Sequence, residues 1–291
     1  MDWSEKMGKL LGGRFMGALR LNRVIITIMM SLAGIIFIMP FLWMISASMK
    51  PELDVLSYPI QWIPKQWNAV ANYSEVWFGS LPFTTYYWNT IKITVLTTLF
   101  SVTISSMAAY GFTKIQFKGR DVLFLIILST FMIPSQAILV PQFILYRWLG
   151  LFDSHAGLIL LGASSVLLTF LLRQFYMSVH NEIIESARID GANHWTIYAR
   201  ITLPLVKPVL ATVMILRFIW TWNDYQNPLI FLRSDHLFTL QLGMTKFSDV
   251  NGEFYSLMMA GAVSAILPLL IIFIIGQKQV IEGVASGSVK G

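Results

Sequence analysis

Charged side chains are sparse in this chain, so those placed inside long apolar runs are the first candidates for chemistry. Arg217 and Asp224 lie seven residues apart within residues 208–232, beside Asn223, Asn227, Trp220 and Trp222. Seven residues is close to two helical turns, which sets both charges on one face about 10 Å apart along the axis. Intramembrane charges are costly and face a cavity or a partner. Direct pairing at that distance is marginal, and a bridge through another subunit serves equally well. Amide and carboxylate groups beside indole rings suit a hydroxyl-rich solute in transit. They also suit the caps of a broken helix end, and both readings stand. Gln136, in a second apolar run with Pro134, Pro141 and Gln142, is a further path candidate, with a hydrogen bond to a neighbouring helix as its alternative.

Other chemistry is poorly supported. There is no cysteine, which excludes disulfides and thiolate metal sites. His155, His180, His194 and His236 are scattered and have no ligand-like spacing, so no metal site is expected. The nearest approach to a phosphate-binding loop is Phe117-Lys118-Gly119-Arg120, with a single glycine and no hydroxyl residue after it. Without converging acid, base or metal groups the chain is expected to be non-catalytic and to bind no cofactor itself.

The elements that must position these residues are membrane spans. Of 291 residues, 56% are hydrophobic and only 12% charged, about half the usual charged share. Six spans are expected, near Val24–Met49, Trp88–Phe112, Val122–Tyr146, Ala156–Met177, Pro208–Leu232 and Ser256–Gly276. The chain then divides into residues 1–87 (a basic interfacial helix, the first span and a long outer loop), 88–277 (the core with its 178–207 loop) and 278–291 (a Gly- and Ser-rich tail expected to be flexible). Fourteen of the 21 Lys and Arg fall on the side holding both termini and the 178–207 loop, which makes that side cytoplasmic. The net charge of +6 thus reads as topology rather than nucleic-acid binding. On the other side, residues 233–255 hold a strand-like patch, 237–242, and a polar turn tip at Asp249, Asn251, Gly252 and Glu253.

One cytoplasmic stretch stands out: Glu185-Ser186-Ala187-Arg188-Ile189-Asp190-Gly191, continuing to Ile201-Thr202-Leu203-Pro204. Glu185 and Arg188 are three apart and share a helix face. Gly191 suits the left-handed end of a helix. A second helix over 192–199 would then be stopped by Pro204 and Pro208 before the fifth span. The expected knob is polar on one side and carries Ile189, Trp195, Ile197 and Tyr198 on the other. From these residues alone an ordinary amphipathic loop is the competing reading.

The spacing resembles the EAA signature of ABC importer permeases, E-A-A-x3-G-x9-I-x-L-P, with Ser186 in place of the first alanine. Leu205-Val206-Lys207-Pro208, Trp222-Asn223-Asp224 and Asn227-Pro228-Leu229 extend the similarity, which runs from about Trp88 to Gly291 and is closest to MalG-like carbohydrate permeases. The resemblance implies a type I importer transmembrane domain in a bacterial or archaeal cytoplasmic membrane. Its cargo would be an oligosaccharide or other carbohydrate. A non-sugar solute, or a stand-alone secondary transporter, is the alternative. Glu185, Ser186, Ala187, Arg188, Asp190, Gly191, Ile201, Leu203 and Pro204 would form the contact with an ATPase subunit. Partners would be a second, homologous permease, two ATPase copies carrying ATP and Mg, and an extracellular or periplasmic binding protein. The Asp249–Glu253 tip would meet that binding protein.

Overall fold

The computed structural model describes residues 3–249 and 252–288. Its contacts divide into two units, Met1–Tyr73 with Phe254–Val263, and Ser74–Glu253 with Ser264–Gly291. Nearly all of the described chain is helical, as an apolar sequence with few internal breakers requires when its backbone must bond to itself.

In the first unit, α1 (Trp3–Ser48) is one uninterrupted helix of 46 residues. An interfacial helix separate from the first span was expected; no break divides them. Residues 23–48 are long and apolar enough to cross a membrane. After the short α2 (Glu52–Val55), α3 (Ala69–Phe78) begins. Asn72 Nδ2 donates to the carbonyls of Ser48 (2.9 Å) and Lys50 (2.8 Å), closing the turn after α1. Lys50 is buried and its Nζ donates to the Gln61 carbonyl. The Glu52 carboxylate accepts the Tyr255 and Ser256 N–H groups, both at 2.8 Å. It thereby satisfies otherwise orphaned donors at a helix start.

In the second unit, α4 (Phe83–Lys114) is a full span of 32 residues. Three further spans are broken. Helices α5 (Arg120–Thr130) and α6 (Ser135–Trp148) bend by 96° across Phe131–Pro134, where proline lacks an N–H and forces its predecessor out of the helical region. Helices α7 (His155–Gly162) and α8 (Val166–Ser178) bend by 41°, and Ser165 Oγ caps α8 by accepting the Leu168 N–H at 3.3 Å. The 181–206 loop contains α9 (Asn181–Ile189), α10 (His194–Thr196), a π-helical turn over Ile197–Thr202 and α11 (Leu203–Leu205). It turns by 82° into α12 (Lys207–Trp222). The expected fifth span is therefore not continuous: α12 stops at Trp222, and α13 (Gln226–Phe231) follows a three-residue break.

The 237–242 patch expected as strand-like is instead helical from Leu240. Here α14 (Leu240–Gly243) is flanked by 3-10 turns over Asp235–Leu237 and Met244–Phe247. The apolar alternation there reflects burial of Leu240 and Leu242 against α4, not a pleat. Among the described residues only β1 (Ser248–Asp249) and β2 (Gly252–Glu253) pair, in antiparallel register. Asn251 of the expected turn tip lies outside the described residues. Helix α15 (Tyr255–Ser288) passes the expected end at Gly276 and enters the tail expected to be flexible. Glycine costs a helix about 1 kcal/mol but leaves its hydrogen bonds possible. Counting each bent pair once, up to six spans result.

Candidate functional site

The 181–206 loop is built as an anchored knob. Helix α9 ends in a Schellman motif. The Ala192 N–H donates to the Ala187 carbonyl (2.9 Å) and the Gly191 N–H to the Arg188 carbonyl (3.0 Å), while Gly191 sits at φ +82°. Its glycine is therefore required by backbone angle, as its spacing suggested. Ile184 and Ala187 on the inner face of α9 join Ile197 and Tyr198 in a buried cluster with Tyr110 of α4, Leu172 and Tyr176 of α8 and Val209 of α12. The expected apolar side thus divides. Ile197 is fully buried, whereas Ile189 (86%) and Trp195 (62%) are exposed.

Polar anchors reinforce that cluster. Tyr198 donates its hydroxyl to Ser106 Oγ (3.1 Å), which lies 2.9 Å from the Tyr176 hydroxyl. Arg188 Nη2 lies 3.3 Å from His194 Nε2, and His194 Nδ1 lies 3.3 Å from the Tyr110 hydroxyl. Arginine only donates, so Nε2 accepts and the ring proton sits on Nδ1. Lys114 is buried, and its Nζ donates to Asn181 Oδ1 at 2.8 Å and to the Val179 carbonyl. Arg173 donates to Asp121 Oδ1 (3.4 Å) and lies over the Phe124 ring at 4.1 Å.

The outward face is left open. Glu185, Ser186, Arg188, Asp190 and Gly191 are exposed. Glu185 shares its helix with Arg188 but forms no ion pair among the described residues. Ser186 Oγ folds back onto the Glu182 carbonyl at 2.8 Å. Pro204 does not end the second helix as expected; the helix runs to Leu205 and breaks at Val206 (φ −98°, ψ 11°). The preceding π turn, over residues 197–202 and including Ile201, widens the helix just where the proline ring would meet a carbonyl.

Within the same unit, the α12 end farther from this knob borders a cavity of about 300 Å³. Arg217, Asp224 and Asn227 line it together, as their spacing suggested. Arg217 Nη2 donates to the Gly162 carbonyl at 2.6 Å. Gly162 permits this approach, since a Cβ there would meet Arg217 Nη2 at 2.5 Å and Thr97 Cγ2 at 2.4 Å. Arg217 and Asp224 form no salt bridge among the described residues. Asp224 instead starts α13, accepting from the Asn227 N–H (3.1 Å) and Asn227 Nδ2 (2.7 Å).

Two expected path residues are elsewhere. Asn223 is exposed and bonds to the Ile219 carbonyl. Gln136 borders a different groove, at the α5–α6 break, with Ser165 and Val166. Trp222, considered as a stacking ring, is 0% exposed and donates Nε1–H to the Ala265 carbonyl at 3.0 Å. It is a core residue.

The cavity also gathers residues that hydropathy did not single out. The buried hydroxyls of Thr94 and Thr97 of α4, Thr221 of α12 and Thr239 have no hydrogen-bond partner among the described residues, and neither has Arg217 Nε. Each such group costs about 1–3 kcal/mol when left unsatisfied. Their signal in the sequence is the stripe Thr90, Thr94, Thr97, Ser101 and Ser105, recurring every three or four residues.

Near the same end, Asp153 joins two turns. Its Oδ1 accepts the Arg233 (2.8 Å) and Ser234 (2.9 Å) N–H groups, and its Oδ2 accepts the Ser234 hydroxyl. Burial pushes its carboxyl upward, but these hydrogen bonds outweigh that and hold it below its ordinary value.

Comparison with known proteins adds an independent line. A family model described as binding-protein-dependent transport system inner membrane component matches residues 101–284. The arabinooligosaccharides transport system permease protein AraQ of Bacillus subtilis (strain 168) is 32% identical over 270 residues, 92% of this chain and 96% of that protein. The lactose transport system permease protein LacG of Rhizobium radiobacter is 28% identical over 271 residues, 93% and 97% of the two chains. A chain in the crystal structure of a bacterial ABC transporter involved in import of the acidic polysaccharide alginate matches with a TM-score of 0.80 and 26% identity. That match covers 89% of this chain and 96% of the other.

Proposed function

The chain belongs to the family of binding-protein-dependent transport system inner membrane components, as an ABC importer permease, and from that premise we propose that its cargo is an oligosaccharide. The observation that carries the coupling role is the asymmetry of the knob. One face is fixed by buried contacts to α4, α8 and α12, while Glu185, Arg188, Asp190, Ile189 and Trp195 are exposed on the other. A separate ATPase fits that face, with Glu185 meeting a basic residue of the partner.

In this reading the knob, both termini and most of the Lys and Arg lie in the cytoplasm of a bacterial or archaeal cell. ATP and Mg belong to two ATPase copies. One knob per chain calls for a second, homologous permease beside this one. An external binding protein delivers the sugar, and the hairpin with Asp249, Gly252 and Glu253 is its contact. This permease is non-catalytic and couples ATPase closure to gating through α12. The candidate path narrows to Arg217, Asp224 and Asn227, which share one cavity.

The decisive experiment is reconstitution of the permease pair, ATPase and binding protein in vesicles, with ATP hydrolysis measured against a saccharide panel. Arabino-, galacto- or lacto-oligosaccharides should stimulate hydrolysis. Glu185→Ala should leave insertion intact and cut the stimulated rate severalfold. Normal stimulation in that variant would remove the coupling role from Glu185.

A further inference from the structure

Among the described residues, five of the seven buried side-chain groups without a hydrogen-bond partner line one cavity; Thr98 and Ser101 of α4 are the other two. Thr94, Thr97 and Thr239 are 0%, 1% and 4% exposed, and their hydroxyls find no acceptor or donor. Helical threonines ordinarily satisfy themselves on the preceding turn, as Thr90 does on the Tyr86 carbonyl at 2.9 Å and Thr113 on the Ala109 carbonyl at 2.6 Å. Thr94, Thr97 and Thr221 do not. With Thr239 and Arg217 Nε they border the same cavity. Buried polar groups in folded proteins are almost always satisfied, so a convergent set of unsatisfied ones marks the place of a missing polar partner.

The charges narrow what that partner is. One guanidinium and one carboxylate, Arg217 and Asp224, border the cavity. An anion placed beside Arg217 would also face Asp224, and a cation would face the reverse conflict. A neutral molecule with several hydroxyls meets neither, because each hydroxyl both donates and accepts. The volume, about 300 Å³, lies at the small end of ligand sites and admits a single sugar ring. Trp220 lines the cavity and is itself partly exposed. It offers an indole face to the apolar side of such a ring.

We infer that this cavity is a subsite for one neutral pyranose unit of the cargo, held by Arg217, Thr97, Thr221 and Thr239 and flanked by Trp220. The inference deepens the oligosaccharide reading and rests on it. It assigns this permease a direct contact with the sugar and a preference for uncharged rings.

The test uses the assembled transporter in nanodiscs, with radiolabelled lactose and an acidic disaccharide ending in glucuronate as probes. Thr97→Val combined with Thr221→Val removes two hydroxyls that make no internal bond, so the fold is retained and the Tm does not fall. Lactose binding should weaken about tenfold, the loss of two hydrogen bonds. Trp220→Leu should weaken it independently. Unchanged lactose binding in both variants would mean that the cavity holds only water, and the subsite falls. Tighter binding of the acidic disaccharide than of lactose would overturn its preference for a neutral ring. If the unmodified transporter shows no saccharide-stimulated hydrolysis, the oligosaccharide reading itself fails and takes the subsite with it.

Discussion

The knob and the cavity solve opposite problems with the same kinds of side chain. At the knob, the Tyr198, Ser106 and Tyr176 hydroxyls and Lys114 are turned inward and each finds a partner, while Glu185, Arg188 and Asp190 are turned outward. At the cavity, the hydroxyls of Thr94, Thr97, Thr221 and Thr239 and Arg217 Nε find no hydrogen-bond partner among the described residues, although Arg217 Nη2 donates to the Gly162 carbonyl. A satisfied buried polar network fixes one geometry. An unsatisfied one is completed when a polar molecule enters it. The first arrangement suits a rigid contact that transmits force, and the second suits a place where something passes or binds.

The sharpest break in that contrast is at Gly191. Proline is locked near φ −65° and cannot adopt the +82° seen there. Gly191→Pro should reduce saccharide-stimulated ATP hydrolysis to background while leaving membrane insertion intact. Gly191→Ala should be milder, costing about 1–2 kcal/mol of local stability. Next in size is Lys114→Met. It leaves the Val179 carbonyl and Asn181 without their buried donor and should cost about 2 kcal/mol, read as a lower Tm in detergent.

A matched pair then tests the comparison directly, since each variant deletes one hydroxyl. Tyr198→Phe removes the satisfied bond to Ser106 and should destabilise by about 1 kcal/mol. Thr94→Val removes an unsatisfied hydroxyl and should stabilise the sugar-free protein by a similar amount. Equal signs in the two Tm shifts would erase the distinction between the regions.

The smallest effect is expected at Asp153, whose folded carboxyl titrates below its ordinary value near 3.8. Its contribution to stability is complete above that ordinary value and is lost as pH falls through the depressed one. Asp153→Asn keeps an acceptor oxygen and tolerates the φ of +54° there, so it should flatten the acid limb of a Tm-against-pH curve by lowering the neutral plateau slightly toward the acid value.

Much of the knob was legible because its constraints are local. The angle at Gly191 and the shared face of Glu185 and Arg188 follow from spacing alone. The π turn was not legible, because Pro204 announces a disturbance without saying whether the helix will stop or widen. The same limit applied to the spans. Hydropathy located Val122–Tyr146 and Pro208–Leu232 as apolar lengths, but it averages over breaks. Pro134 and the polar Asn223-Asp224 step were visible, yet the 96° bend and the separate α13 depend on packing far along the chain. In the cavity, Arg217 and Asp224 were found by their charge. The threonines were missed because a hydroxyl in a helix is neutral on any hydropathy scale, and its meaning depends on whether a partner waits across the fold. Trp222 was misread for the complementary reason: burial reversed what its chemistry suggested.

The π turn at Ile197–Thr202 has one more consequence, for changes in chain length. A π turn contains one residue more than the α-helical turn it replaces. A single deletion within 197–202 would therefore restore regular winding and leave the flanking helix ends in phase, whereas a single insertion elsewhere between Gly191 and Val206 would rotate all later side chains by about 100°. The deletion would not be silent. With the spare residue gone, the ring of Pro204 would press on the carbonyl four residues before it. The surplus residue and the proline are thus a matched pair, and a relative that has lost one should have lost or relocated the other.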